Sequence, residues 1–188
     1  MLISREIIDL LASWITISVA FSAVVAPSNP LSVLPLYLVV VGTAFVLHEL
    51  AHKYAAIRLG YHAEYRLWTA GLAFALLLAF TTGFVFAAPG AVYILGMPGR
   101  KDNGIISIAG PLVNFIVATL ALLVLILLRL DYMLFNLLYA VFRVNAFIGF
   151  FNMLPIPPLD GSKIISWSGA AYAALLLPLL FYTFFFPF

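Results

Sequence analysis

Apolar residues run along this chain in long blocks, and the polar residues fall mainly between them. The first block, residues 7–26, follows Arg5 and Glu6 and closes in APSNP, a turn-forming stretch. A helix needs around 20 residues to cross a hydrocarbon core about 30 Å thick, so this block is long enough to span. Its length, and an acidic residue beside the basic one, favour a retained helix over a cleaved signal peptide. A second block, 34–59, starts near Pro35 and stops at Gly60, a good helix terminator. Residues 61–66 (YHAEYR) are polar, and 67–80 are apolar but too short to cross unless extended or tilted. Over 82–98, Gly and Pro alternate with β-branched and aromatic residues, which predicts short strands or a re-entrant segment. Open strand edges cannot face lipid, so that segment must lie against the bundle, line a wet cavity or sit at the interface. Spanning helices follow at 104–128 and 132–152, before NMLPIPPLDG at 152–161 breaks the helix with three prolines. A last apolar run covers 164–188, with Pro178 and Pro187 as kink points.

This pattern predicts an all-α membrane protein: a polytopic bundle of about five or six transmembrane helices, with a β-hairpin or re-entrant segment near 82–98, in one domain over 1–188. Composition agrees, since 65% of the residues are hydrophobic and 9% charged, against about 25% charged in an ordinary soluble domain. The net charge of +2 suits loop asymmetry in a membrane protein and does not imply nucleic acid, so the expected surroundings are the lipid bilayer. With the N-terminus cytoplasmic, Arg5, Lys53, Arg58, Arg66, Arg100, Lys101 and Lys163 all lie on the cytoplasmic side, which is seven of the nine basic residues. Arg129 lies outside and Arg143 within a helix that gives it no evident partner. The chain has no cysteine, so any metal must be held by nitrogen and oxygen donors.

The second block carries FVLHELAHKY at 45–54, three costly polar side chains inside a spanning helix. Residues four apart on a helix project about 40° from one another, so His48 and His52 offer two imidazoles to one ion. That is why H-E-x-x-H binds zinc, with Glu49 beside the metal to take a proton from water and return it to a leaving amine. The bland alternative, buried polar glue, is weakened by the bilayer, where each ionisable group costs about 2.5–3.5 kcal/mol on the insertion scale.

A catalytic zinc usually has three protein ligands. Glu6 and Asp9 sit at the N-terminus and Glu64, Asp102 and Asp131 in polar loops, whereas Asp160 follows the break at Pro155, Pro157 and Pro158. An extended proline-rich segment can steer a carboxylate onto a metal held by another helix, which makes Asp160 the expected third ligand. Counting at about 1.5 Å per residue, His48 lies roughly 16 Å from one end of its helix, and Asn114, in AGPLVNF, roughly 15 Å deep from the same side. Asn114 could hold a substrate carbonyl or developing oxyanion, or serve as an interhelical hydrogen bond.

HELAH at 48–52, AGPLVN at 109–114 and NMLPIPPLDG at 152–161, in that order on three successive helices, resemble the site-2 protease family of intramembrane zinc metalloproteases over residues 35–165. The resemblance implies one catalytic zinc on His48, His52 and Asp160, with Glu49 as catalytic acid and base and Asn114 as an active-site residue. It further implies a three-helix catalytic core, a membrane-associated β-hairpin after the motif helix, and transmembrane proteins as substrates. Many members carry a PDZ or CBS domain; neither is legible here, so the chain resembles a minimal form. Rival readings are a zinc-dependent membrane protease of another class, which would typically complete its site with glutamate, and a metal transporter using the same His/His/Asp set, which has no need of Glu49.

Overall fold

The computed structural model describes residues 5–85 and 89–186. Helix α1 (Arg5–Val25) is followed by a short 3₁₀ turn, Pro30–Ser32, and by α2 (Leu34–Val41). A π-helical turn, Gly42–Val46, joins α2 to α3 (Leu47–Arg58), so the second block forms one 25-residue rod with a bulge in its middle. Gly60 ends it with φ of 88°, the left-handed conformation that glycine adopts without a Cβ penalty. Strand β1 (His62–Leu67), α4 (Thr69–Thr82) and β2 (Gly90–Leu95) come next, then α5 (Arg100–Leu127), α6 (Tyr132–Asn152), α7 (Asp160–Trp167) and α8 (Gly169–Phe184).

Among the described residues, four helices are long and apolar enough to cross a membrane: Arg5–Val25, Leu34–Arg58, Arg100–Leu127 and Tyr132–Asn152. Helices α4 and α8 are apolar but have 14 and 16 residues. At about 1.5 Å per residue they fall short of a 30 Å core. The architecture is an all-α membrane bundle with a two-stranded antiparallel sheet.

Two local expectations are corrected. The hairpin does not lie within 82–98: β2 falls there, but its partner β1 comes from the stretch read as a polar connection, with His62 opposite Leu95 and Leu67 opposite Gly90. Residues 86–88 of that predicted segment lie outside the described residues. The inward residues of β1, Ala63 and Tyr65, are each 2% exposed, while His62 on the other face is exposed. The second correction concerns the last apolar run, which is two helices. Ser168 adopts an extended conformation between them and caps α8 by accepting from the Ala171 N–H. Pro187 lies outside the described residues.

Helix α5 is the central post, packed against α6, α3 and α7. Its buried residues include the small ones Gly104, Ser107, Gly110, Ala118 and Ala121, with Asn114 among them. Small side chains let neighbouring backbones approach closely, and this is the main source of helix attraction where lipid is as apolar as leucine. On its other face Leu112, Ile116, Leu120 and Leu123 are exposed, as a lipid-facing surface requires. Arg143, in α6, finds its partners at the end of α8, where Nη1 donates to the carbonyls of Thr183 at 3.1 Å and Tyr182 at 3.5 Å. A cation there completes carbonyls that the helix itself leaves open.

Helix α1 packs Ile17, Ala20 and Phe21 into the core and adds polar contacts near its N-terminal half. Lys53 Nζ donates to both Glu6 carboxylate oxygens at 2.6 Å, the Tyr65 N–H donates to Glu6 Oε1 at 3.1 Å, and the Tyr65 hydroxyl donates to Ser13 Oγ at 2.9 Å. These contacts hold α1 beside β1 and the motif helix.

Candidate metal centre

His48, Glu49 and His52 project from α3 just after the π turn, and all three are buried. A π turn shifts the helix register and leaves carbonyls open to other donors. Asn114 Nδ2 uses one here, donating to Ala44 O at 2.7 Å, while Trp14 Nε1 donates to Leu38 O, just before the turn, at 2.9 Å. On the facing helix α5, Pro111 removes the donor for the Ser107 carbonyl and loosens the turn before it. In that turn the Ile106 carbonyl accepts from His52 Nδ1 at 2.7 Å.

These bonds fix the imidazole tautomers. A backbone carbonyl only accepts, so His52 Nδ1 carries a proton, and in the neutral imidazole that a metal requires its Nε2 presents a lone pair. Asn114 Nδ2 donates to Ala44 O and, at 3.0 Å, to Asn145 Oδ1, which leaves Oδ1 to accept from His48 Nδ1 at 2.6 Å. His48 Nε2 is therefore also a lone-pair donor to whatever it faces. It faces His52 Nε2 at 3.0 Å and Asp160 Oδ2 at 3.4 Å, and Asp160 Oδ2 lies 3.1 Å from His52 Nε2.

With both imidazoles neutral, three electron-pair donors point at one another in a buried site, an arrangement that a cation relieves. The spacing also fits, because ligand atoms about 2.0–2.1 Å from a tetrahedral zinc lie about 3.3–3.4 Å apart. Asp160 reaches the site as the first residue of α7, after the proline-rich turn. Behind it, Gly161 packs against the Met153 carbonyl too closely to admit a Cβ. Gly110 does the same on α5, where a Cβ would stand 2.5 Å from His52 Nε2 and 2.6 Å from His48 Nε2.

Glu49 stands beside the triangle, outside it. Its Oε2 is buried and has no hydrogen-bond partner among the described residues, an unusual condition for a buried polar atom. The Glu49 residue lines a cavity of about 180 Å³ walled also by the two histidines and Asp160, by Pro89, Gly90 and Val92 of the sheet region, and by Ser107, Asn152 and Lys163. A paired-acceptor cluster with an unpaired carboxylate on an adjoining cavity is suited to holding a metal and moving a proton next to it.

Over 179 residues the chain is 37% identical to the "Putative zinc metalloprotease MJ0611" of Methanocaldococcus jannaschii, covering 95% of this chain and 92% of that protein. The chain belongs to this zinc metalloprotease family. It is also 29% identical over 153 residues to the "Putative zinc metalloprotease YwhC" of Bacillus subtilis, covering 72% of this chain and 70% of that one. To the "Zinc metalloprotease MJ0392" of M. jannaschii it is 29% identical over 120 residues, 30% of that protein's length. No family model matches the chain, and no solved structure does.

Within this metalloprotease family member, His48, His52 and Asp160 come together as one group able to hold a metal ion, and Asn114 adjoins it through His48. Asn114 is 0% exposed and its amide is fully engaged, so it meets the imidazole and not the cavity. Asn145 extends the network by donating to Thr43 Oγ1 and Val141 O. Nothing in the sequence singled out Asn145, although a second buried amide on a spanning helix is itself a costly residue. His62 is exposed and pairs with Glu64, away from the site. Asn114→Ala is expected to weaken zinc binding 10–100-fold, the usual effect of losing the group that orients a metal-binding imidazole. Competition with a coloured chelator measures this directly.

Proposed function

We propose that the protein is an intramembrane zinc endopeptidase of the site-2 protease type, using one zinc ion to hydrolyse peptide bonds within transmembrane segments of other proteins. The observation that carries this reading is placement: the H-E-x-x-H residues lie in the interior of Leu34–Arg58, a helix long and apolar enough to span. A third donor that is aspartate, Asp160, argues against membrane proteases completed by glutamate. An unpaired Glu49 carboxylate beside the ligand triangle argues against a simple transit site for metal.

His48, His52 and Asp160 would hold the ion, which supplies Lewis acidity and lowers the pKa of water towards about 7. Glu49 Oε2 accepts a proton from water in the cavity and later delivers it to the departing amine. Asn114 and the Ile106 carbonyl keep the two imidazoles in the tautomer and orientation that binding needs. A helical substrate hides its carbonyls in its own hydrogen bonds, so the scissile segment must unwind first. Strand β2 lines the cavity through Gly90, Ala91, Val92 and Ile94. Among the described residues it pairs only with β1, so its other edge is available to an opened backbone. The basic residues orient the chain with its N-terminus in the cytoplasm, from which water enters.

The test is metal dependence in purified protein with a fluorogenic transmembrane peptide. Chelation should abolish cleavage, one equivalent of zinc should restore it, and Asp160→Asn should not recover at that stoichiometry. Cleavage that persists after metal removal would overturn the proposal.

A further inference from the structure

Adding water to a peptide carbonyl drives negative charge onto the carbonyl oxygen, and a preorganised donor for that charge is usually the largest single contribution to catalysis. The side chains at the ligand triangle have little to give. Asn114 commits both amide hydrogens to Ala44 O and Asn145 Oδ1. His48 and His52 commit their Nδ1 hydrogens to Asn114 and Ile106. Asn152 Nδ2 donates to Ile148 O at 3.0 Å. Glu49 and Asp160 are acceptors.

Ser107 and Asn103 also line the cavity and offer neutral donors, but a positive charge is the stronger partner for an oxyanion. Lys163 stands one helical turn after Asp160, and among the described residues lining the cavity it is the one lysine or arginine. Its Nζ lies 3.7 Å from Asp160 Oδ1, while Asp160 Oδ2 faces the two imidazoles. Asp160 therefore ties the ammonium beside the ligand triangle without absorbing it, since 3.7 Å is an ion pair and not a hydrogen bond. With its side chain 40% exposed, Lys163 keeps N–H donors free of hydrogen bonds to the described residues while lining the cavity.

We propose that Lys163 is a catalytic residue that donates to the scissile carbonyl oxygen as it becomes negative; this rests on the endopeptidase reading above. Water bonds through its oxygen to the carbonyl carbon while its proton passes to Glu49, and the carbonyl electron pair moves onto the oxygen that Lys163 meets. When that pair returns, the C–N bond breaks and Glu49 passes the proton to the departing nitrogen. The products are a carboxylic acid and an amine, and Lys163 ends as it began, with its proton.

The test compares the full chain with Lys163→Met and Lys163→Arg, each loaded with zinc, on one transmembrane peptide. Lys163→Met should lower kcat by about 10²–10³-fold, the usual cost of one oxyanion donor, with KM and zinc content unchanged. Lys163→Arg should recover much of the loss. A peptide phosphonate, charged where the oxyanion forms, should lose affinity for Lys163→Met in step with kcat. The uncleaved peptide should bind Glu49→Gln with or without Lys163→Met equally. Wild-type kcat in Lys163→Met, or a loss that follows zinc content, would overturn the assignment while leaving the endopeptidase reading intact. Cleavage surviving in Glu49→Gln would overturn both.

Discussion

Glu49→Gln is expected to reduce peptide cleavage by about 10²–10⁴-fold, the range attributed to one positioned general base. Zinc should stay bound. The two halves of that expectation come from different atoms. The ligand triangle is made of His48 Nε2, His52 Nε2 and Asp160 Oδ2, and no Glu49 atom belongs to it. Glutamine has the same shape, so the cavity wall keeps its packing, but an amide cannot take a proton from water. The free Glu49 Oε2 is what makes the prediction specific to this residue. A carboxylate already spent on a neighbouring donor would be structural, and its loss would lower stability before activity. Single-turnover cleavage of a transmembrane peptide, with metal content measured on the same sample, separates the outcomes. Activity within tenfold of the wild type would remove Glu49 from the reaction, and zinc loss would make it part of the binding site.

The elements legible in the sequence were those whose signal is local. Residues 132–152 read as a helix with the boundaries that α6 has, because a long apolar run between polar caps has few alternatives. His48 and His52 could be paired because their spacing is a property of one helix. The sheet was harder. HAEYRL alternates polar and apolar residues, a strand signal, yet the stretch is too short and polar to announce a partner, and that partner comes 28 residues further on, after α4. Register between distant strands is a tertiary property. The break at Ser168 was masked for a different reason: hydropathy averages over a window, and one polar residue that ends α7 and caps α8 scarcely lowers it. The sequence could put Asn114 at the depth of His48 without deciding what it touches. Its Oδ1 is aimed at His48 by two acceptors for its Nδ2, and one of them, the Ala44 carbonyl, lies in a π turn that no periodicity reveals. Arg143 looked unpartnered for the same reason, since its acceptors are backbone carbonyls nearly forty residues away.

Gly110→Ala should eliminate stoichiometric zinc binding and with it cleavage, although it adds a single methyl group to a helix. In most helices this exchange is favourable, because alanine loses less backbone freedom than glycine on folding. Here the added Cβ would stand 2.5 Å from His52 Nε2 and 2.6 Å from His48 Nε2, well inside any tolerated contact. Neither imidazole can turn aside without giving up the Nδ1 bond to Ile106 O or to Asn114 Oδ1. The alternative is to move α5 away from α3, which opens the seam between two spanning helices and costs about 1–3 kcal/mol of overpacking strain. Either way the Nε2 atoms leave the triangle they form with Asp160 Oδ2. Gly169 provides the control: a Cβ there meets nothing within 4 Å, so Gly169→Ala should leave zinc content and activity at wild-type levels. Zinc content by metal analysis, set beside thermal unfolding in detergent, tells the steric loss of the site from general unfolding. Stoichiometric zinc in Gly110→Ala would mean that the two helices are not held as closely at the metal centre as their hydrogen bonds require.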